Sequence, residues 1–561
     1  MKFKTKNNLL IYLVPALAAL LVRIILLINW WDSPIRYYGN IRGLDMQFIL
    51  QAAKWFYNGD IVFTAYRVLL FIILFFNKGM NSPETVIIIQ LIGGIIVAPL
   101  VAWCTLRIWG KTYWALASGL LSALYAPALM YQLFVLKESI LSFFALLSLA
   151  AVLWAHKRHF SAKSLWICGM FLAAACICRI NAIPFCGLAS IWIMASLFKK
   201  LKGKIKPVFI GSTFLGLGIL TIFIPVSIIN TYLTKGREVL PIQLPKMSYI
   251  AKVARIAKPV TMNAQAVHIP TTEIKASQKS TVIINMLRKS PKVFSASEIP
   301  NNVNYYFLKY KLFPLQYLVG PLLLIPLATT ALILLILNRG ALRKESILFV
   351  FIFSYMLPMC YFVPLARYRL ILVLAFCMLA PYPVFAIKKA WHDKKNILIL
   401  LPIVILAILL YINLPLDNFL RSTDFVSYGK GMQFKTGKPA SALPYFYEAY
   451  KMAPYKQMTV VNLSDALLKD RNPKAAIAIL LPAYKKSPKN LAYRYYLGIA
   501  YFFSAKAKEA EQLFSTINPD DMGALKDKYY FFYGASLRMQ KKYKAAAELK
   551  QKATKDSNVK K

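Results

Sequence analysis

Two carboxylates and three arginines carry most of the chemistry this sequence can do. Asp45 sits in GLDMQFILQAAKWFYNGD, Lys137-Glu138 in QLFVLKES, Arg179 and Asn181 in CRINAIP, and Arg367-Tyr368-Arg369 in ARYRL. A carboxylate within reach of a hydroxyl is a general base, a role that typically contributes ~10²–10⁴-fold to rate. Arginine forks make charge-assisted, bidentate contacts to phosphate. Tyr66-Arg67, in IVFTAYRVLLFIILFF, adds a further polar pair. The set suits proton abstraction beside a bound anion. Plainer roles also exist. Asp45, shortly after Gly43, can be a first-turn carboxylate facing a helix dipole. Lys137 and Glu138 can pair at an interface, and Arg36, Arg42 and Lys54 can be solvated or snorkel to headgroups.

The elements that must position these groups are apolar helices. The chain has 561 residues, is 58% hydrophobic and carries a formal net charge of +47. Runs near the ~20 residues that cross a bilayer recur from Leu9 to about Leu414. No small-residue cleavage site follows the first run, and Trp30-Trp31 reads as an interfacial belt. Assigning the basic clusters to the cytoplasm gives spans near 9–29, 84–106, 112–130, 135–155, 164–179, 181–198, 207–231, 313–338, 345–364, 368–387 and 396–414. That is about eleven, with the N-terminus inside and the C-terminal region outside. The run at 61–76 breaks the alternation and is expected as an interfacial or re-entrant helix. The expected fold is all-α: a polytopic membrane domain (1–415), a linker (416–436) and a soluble domain (437–561).

On this map the loop 30–83, the turn at 131–139 and the long loop 232–310 face outward, with Arg179, Asn181 and Arg367–Arg369 at adjoining span ends. Ionisable groups at membrane depth are functional candidates by default. Other chemistries find little support. All seven cysteines lie in apolar runs, only His268 of the four histidines faces outward, and there is no Walker A loop or G-x-G-x-x-G. A divalent ion between Asp45 and Glu138 is compatible with the residues, though no ligand spacing marks one.

The ordered set of Asp45, the NGD ending at Asp60, Tyr66-Arg67, LLSALYAPALMYQLFVLKES, CRINAIP and ARYRL resembles the GT-C membrane glycosyltransferases. The resemblance is to bacterial relatives of protein O-mannosyltransferases and lipid A aminoarabinose transferases (family 39-like), over roughly residues 9–390. It implies that Asp45 is the first-loop catalytic carboxylate and that Glu138 shapes the same cavity. Arg179 falls where members often have an Arg-Pro pair, and Arg367–Arg369 where they have an Arg-Tyr/Phe-Arg turn. On chemical grounds Arg179, Arg367 and Arg369 are the candidates to hold a donor phosphate, and Tyr66, Arg67, Lys137, Asn181 and Tyr368 to line the substrate site. Two positions depart from the pattern. Met46 follows Asp45 where an acidic pair is common, and Val68-Leu69 stand where prolines are expected.

An outward-facing transferase has no nucleotide sugar at hand, so its donor is expected to be a sugar on polyprenyl phosphate. An acceptor hydroxyl on a protein, lipid or glycan attacks the anomeric carbon with inversion, Asp45 taking the proton.

The C-terminal region repeats. Pro454 and Pro488 are 34 residues apart, as are Ala449 and Ala483. Leu497-Gly498-x-x-Tyr501 with Ala510 and Phe514 returns 36 residues later as Tyr533-Gly534-x-x-Leu537 with Ala546. These are tetratricopeptide spacings, some three repeats; such stacks bind a peptide or protein partner, or merely cap and brace. A cationic face favours anionic lipid, glycan or an acidic partner, and nucleic acid is not expected beyond the membrane. The second reading is a non-catalytic carrier of lipid-linked glycan or an assembly scaffold. That reading predicts polar groups at mid-span and symmetry between halves, which the sequence does not show.

Overall fold

The computed structural model describes residues 9–57, 83–233, 279–337, 342–392, 396–413 and 419–558. The expected helix at 61–76, with Tyr66 and Arg67, and the part of the long loop that holds His268 lie outside the described residues. What is described is helical, and it falls into two compact units, one built on the apolar helices and one on the C-terminal repeats.

Among the described residues, six helices of the first unit are long and apolar enough to cross a membrane: Leu10–Trp31, Glu84–Trp109, Lys137–Lys157, Ile180–Lys200, Ile205–Tyr232 and Ala366–Lys388. Five shorter apolar helices coincide with other predicted runs. The predicted span 112–130 is broken. Helix α4 (Thr112–Leu124) ends before Tyr125, whose extended backbone pairs with Val319, and Pro127 opens α5 (Ala126–Tyr131). Lacking its own N–H, proline fits the first turn of a new helix better than the interior of an old one. The run 313–338 likewise holds a short 3-10 turn at Leu315–Tyr317 and becomes α-helical only at Pro321.

Burial follows position in the bundle. The helix Ala366–Lys388 is mostly enclosed, whereas α9 (Ile205–Leu233) turns Phe209, Leu217, Ile224 and Ile228 outward, an apolar surface suited to lipid. Helix α9 meets α7 (Ala162–Cys178) backbone to backbone. A Cβ on Gly218 would stand 2.0 Å from the Trp166 carbonyl oxygen, and one on Gly169 2.2 Å from that of Leu215. Small residues permit this approach between membrane helices. Gly218→Ala is therefore expected to destabilise the bundle by about 1–3 kcal/mol or more. Gly216→Ala, where a Cβ meets nothing within 4 Å, is the neutral control; equal melting temperatures for the two variants would sink the account.

The second unit holds four helical hairpins: Ser422–Thr436 with Leu443–Met452, Gln457–Lys469 with Pro473–Lys486, Leu491–Phe503 with Ala507–Ser515, and Lys526–Met539 with Tyr543–Asn558. Each packs on the next. The first helix occupies the stretch expected as linker, 416–436, so this unit starts earlier than the repeat spacing suggested. Gly429 explains why. A Cβ there would lie 2.6 Å from the Phe446 ring, as one on Gly498 would lie 2.8 Å from that of Phe514. Gly437, Arg471, Ala505 and Lys541 all have positive φ at the corresponding hairpin turn. Their spacings of 34, 34 and 36 residues extend the repeat one unit upstream.

Candidate functional site

Four separate stretches bring charge to one end of the helical bundle. Helix α2 (Asp45–Tyr57) starts on Asp45 after Gly43, whose φ of +92° suits glycine. It buries Met46, Ile49, Leu50 and Ala53 at helical spacing and leaves Phe48 and Trp55 exposed. Helix α6 (Lys137–Lys157) has Glu138 in its first turn, where the dipole favours a carboxylate. Arg179 sits where α7 ends in extended backbone. The chain then turns through Ile180–Ala182, with Asn181 half-buried, into α8 (Ile183–Lys200). Arg367 lies in the first turn of α14 (Ala366–Leu379).

These side chains interlock. Arg179 Nη1 donates to Glu138 Oε1 at 2.5 Å, and Arg367 Nε stands 3.7 Å from the same oxygen. Arg367 Nη1 is in contact with Asp45 Oδ2, and its Nη2 donates to the Tyr368 hydroxyl at 3.0 Å. Both guanidinium groups also lie over the Tyr368 ring, 4.4 Å (Arg179) and 4.9 Å (Arg367) from its centre. Lys137 is within electrostatic reach of all four charges. Two carboxylates thus face three cations, an excess of positive charge suited to an anion.

The two carboxylates are not equivalent. The Glu138 side chain is 1% exposed and that of Asp45 is 30% exposed. Glu138 holds arginines in place, and its Oε2 has no hydrogen-bond partner among the described residues. Asp45 is the carboxylate that a molecule outside the protein can reach.

Arg369 departs from the expectation that it binds a donor phosphate. Residues two apart on a helix do not face each other, so forming α14 turns Arg367 and Arg369 apart. Arg369 is 3% exposed and pairs with the equally buried Glu298 at 2.7 Å. It also donates to the carbonyl oxygens of Ser295 and, at 3.2 Å, Ser297. Tyr125 donates to Glu298 at 2.9 Å. Arg369 is a clasp on the segment 293–298, not a free anion ligand. Arg36 also differs from the solvated group expected, pairing with Glu84 at 3.1 Å and stacking on Trp31.

Glu298, Tyr125, Arg23 and Gln132 were not singled out by sequence reasoning. A signal existed for two of them. Arg23 is the lone charge in its apolar run, and Glu298 the lone acid between 279 and 310. Among the described residues no group of three or more His, Cys, Asp or Glu side chains gathers to hold a metal. In comparison with known proteins, the chain matches no family model, no curated protein and no solved structure.

Proposed function

We propose that this protein is a membrane glycosyltransferase of GT-C type that moves a sugar from a polyprenyl-phosphate donor to an acceptor hydroxyl on the non-cytoplasmic side. In this reading all eleven apolar helices span the bilayer, and the helical hairpins are tetratricopeptide repeats that recruit the acceptor or a partner. The carrying observation is the convergence of an accessible carboxylate, Asp45, with Arg367 and Arg179 around Tyr368. Arg179 and Arg367 bind the phosphate, taking Tyr368 as their platform. The acceptor oxygen forms a bond to the anomeric carbon as the bond from that carbon to the phosphate oxygen breaks. Asp45 receives the hydroxyl proton, and the polyprenyl phosphate leaves with the electron pair, its charge met by the guanidinium groups. Glu138 keeps both arginines oriented, and the product is inverted at the anomeric carbon.

The test is transfer of labelled sugar from a panel of polyprenyl-phosphate donors into membranes carrying the native protein. Transfer from one donor class, weakened by Arg179→Gln chiefly through a raised donor KM, is the expected result. No transfer from any donor, together with movement of lipid-linked glycan across vesicles holding the protein, would overturn the reading in favour of a carrier.

A further inference from the structure

The first apolar helix, α1 (Leu10–Trp31), contains one charge, Arg23, eight residues before its Trp31 end and therefore roughly 12 Å into the helix. Arg23 is 3% exposed. Its Nε donates to Gln132 Oε1 at 3.0 Å, and its Nη1 to the carbonyl oxygens of Ala19 at 3.1 Å and Ala123 at 3.5 Å. Every one of these acceptors is neutral, and among the described residues Arg23 meets no carboxylate. A full positive charge at this depth, paired only with dipoles, is costly and points to a function.

Two donors are left over. Arg23 Nη2 and Gln132 Nε2 have no acceptor among the described residues, and neither is sealed off. Both rest against α3 (Glu84–Trp109) at Gly94, each 2.5 Å from where a Cβ would be. Arg23, Gln132 and Gly94 together line one end of a cavity of about 320 Å³. The rest of its wall is largely hydrocarbon, from Ile96, Val97, Phe143, Phe144, Val373 and Leu374. Ile92 and Ile96 line the cavity and are exposed, so the cavity is open where they stand.

We propose that this cavity binds a single-chain anionic lipid of the fatty-acid class, its carboxylate held by Arg23 and Gln132 and its chain along the apolar wall. Charge selects the head: one guanidinium and one neutral amide match a single negative charge, whereas a phosphate monoester carries up to two. Size selects the tail. The cavity lies at the lower end of the ~300–1,000 Å³ that holds drug-sized ligands, room within it for one hydrocarbon chain and not for two. None of Asp45, Lys137, Glu138, Arg179, Arg367 and Tyr368 lines the cavity, so the proposal stands whether or not the protein transfers sugar.

The probe is a palmitate analogue with a photoreactive group in its chain, cross-linked to the full-length protein in detergent and mapped by peptide mass. Label is expected on peptides containing residues 89–97, 140–144 and 370–374, displaced by unlabelled palmitate. Arg23→Gln is expected to lower labelling about tenfold, the scale of one lost charge-assisted contact. Gly93→Leu fills the cavity without touching Arg23; a Cβ there has its nearest neighbour, Phe143, at 3.9 Å. The fold is therefore expected to survive, checked by an unchanged melting temperature, while labelling is lost. Labelling that persists in Gly93→Leu, spreads over the lipid-facing helices without competition, or yields to polyprenyl phosphate but not to palmitate would overturn the assignment.

Discussion

Replacing Asp45 by asparagine is expected to slow the proposed sugar transfer about 10²–10⁴-fold, without raising donor KM and with little change in melting temperature. The substitution keeps the size of the side chain and an oxygen that Arg367 can still meet, but it removes the proposed base. Arg367 retains the Tyr368 hydroxyl at 3.0 Å, the Tyr368 ring and Glu138 at 3.7 Å, so its position does not depend on Asp45 alone. Contact with Arg367 occupies the Asp45 carboxylate while it lasts. A phosphate that draws Arg367 toward itself also frees the carboxylate, linking donor binding to activation of the acceptor. Glu138→Gln should behave differently, because Glu138 is sealed in and holds two guanidinium groups. Its loss is expected to raise donor KM and lower the melting temperature together. If the Asp45→Asn protein transfers sugar as fast as the native one, the base is elsewhere.

The apolar helices were legible because bilayer-length runs need no partner to be recognised, and basic clusters mark their ends. What the sequence could not show is where such a run breaks. Tyr125 leaves the helix because Val319, almost 200 residues on, offers it a backbone partner. The arginines of ARYRL were legible as functional candidates, yet treating them as a pair was an error of local geometry. In an extended turn they could share a phosphate, whereas in the first turn of α14 they diverge. Gly429 is not marked by the repeat spacing, whose Pro, Ala and Gly positions all lie at or beyond Ala449. The contact that defines it, a glycine receiving an aromatic ring from the next helix, is visible only once Gly498 and Phe514 are seen to do the same. Arg23 was overlooked for the opposite reason: a single charge does little to the apolarity of a run, so it was absorbed into the span.

The clasp at Glu298 is where the largest loss of stability is expected. Arg369 and Glu298 are both 3% exposed and 2.7 Å apart, and they come from positions 71 residues apart in the chain. Removing one member of a buried pair strands the other charge, at a cost of about 3–5 kcal/mol. Glu298→Gln is therefore expected to destabilise the membrane unit by that order, although the amide can still accept from Tyr125. The segment it anchors has other ties. Asn413 accepts from the Ala296 N–H at 2.6 Å, and Asn304 donates to the Phe419 carbonyl at 2.7 Å. Loosening at 293–304 should thus reach the end of the last apolar helix, α16 (Asn396–Asn413). The seven cysteines provide the readout: all are free, six are buried and Cys186 is half-buried, so a thiol-reactive dye reports their exposure on heating. Arg369→Met combined with Glu298→Gln decides between charge and packing. If stranded charge is the cause, the double variant melts above Glu298→Gln alone, because no unpaired ion is left behind. If the double variant melts lower still, the clasp acts through its hydrogen bonds to Ser295 and Ser297, and the charge pair is incidental.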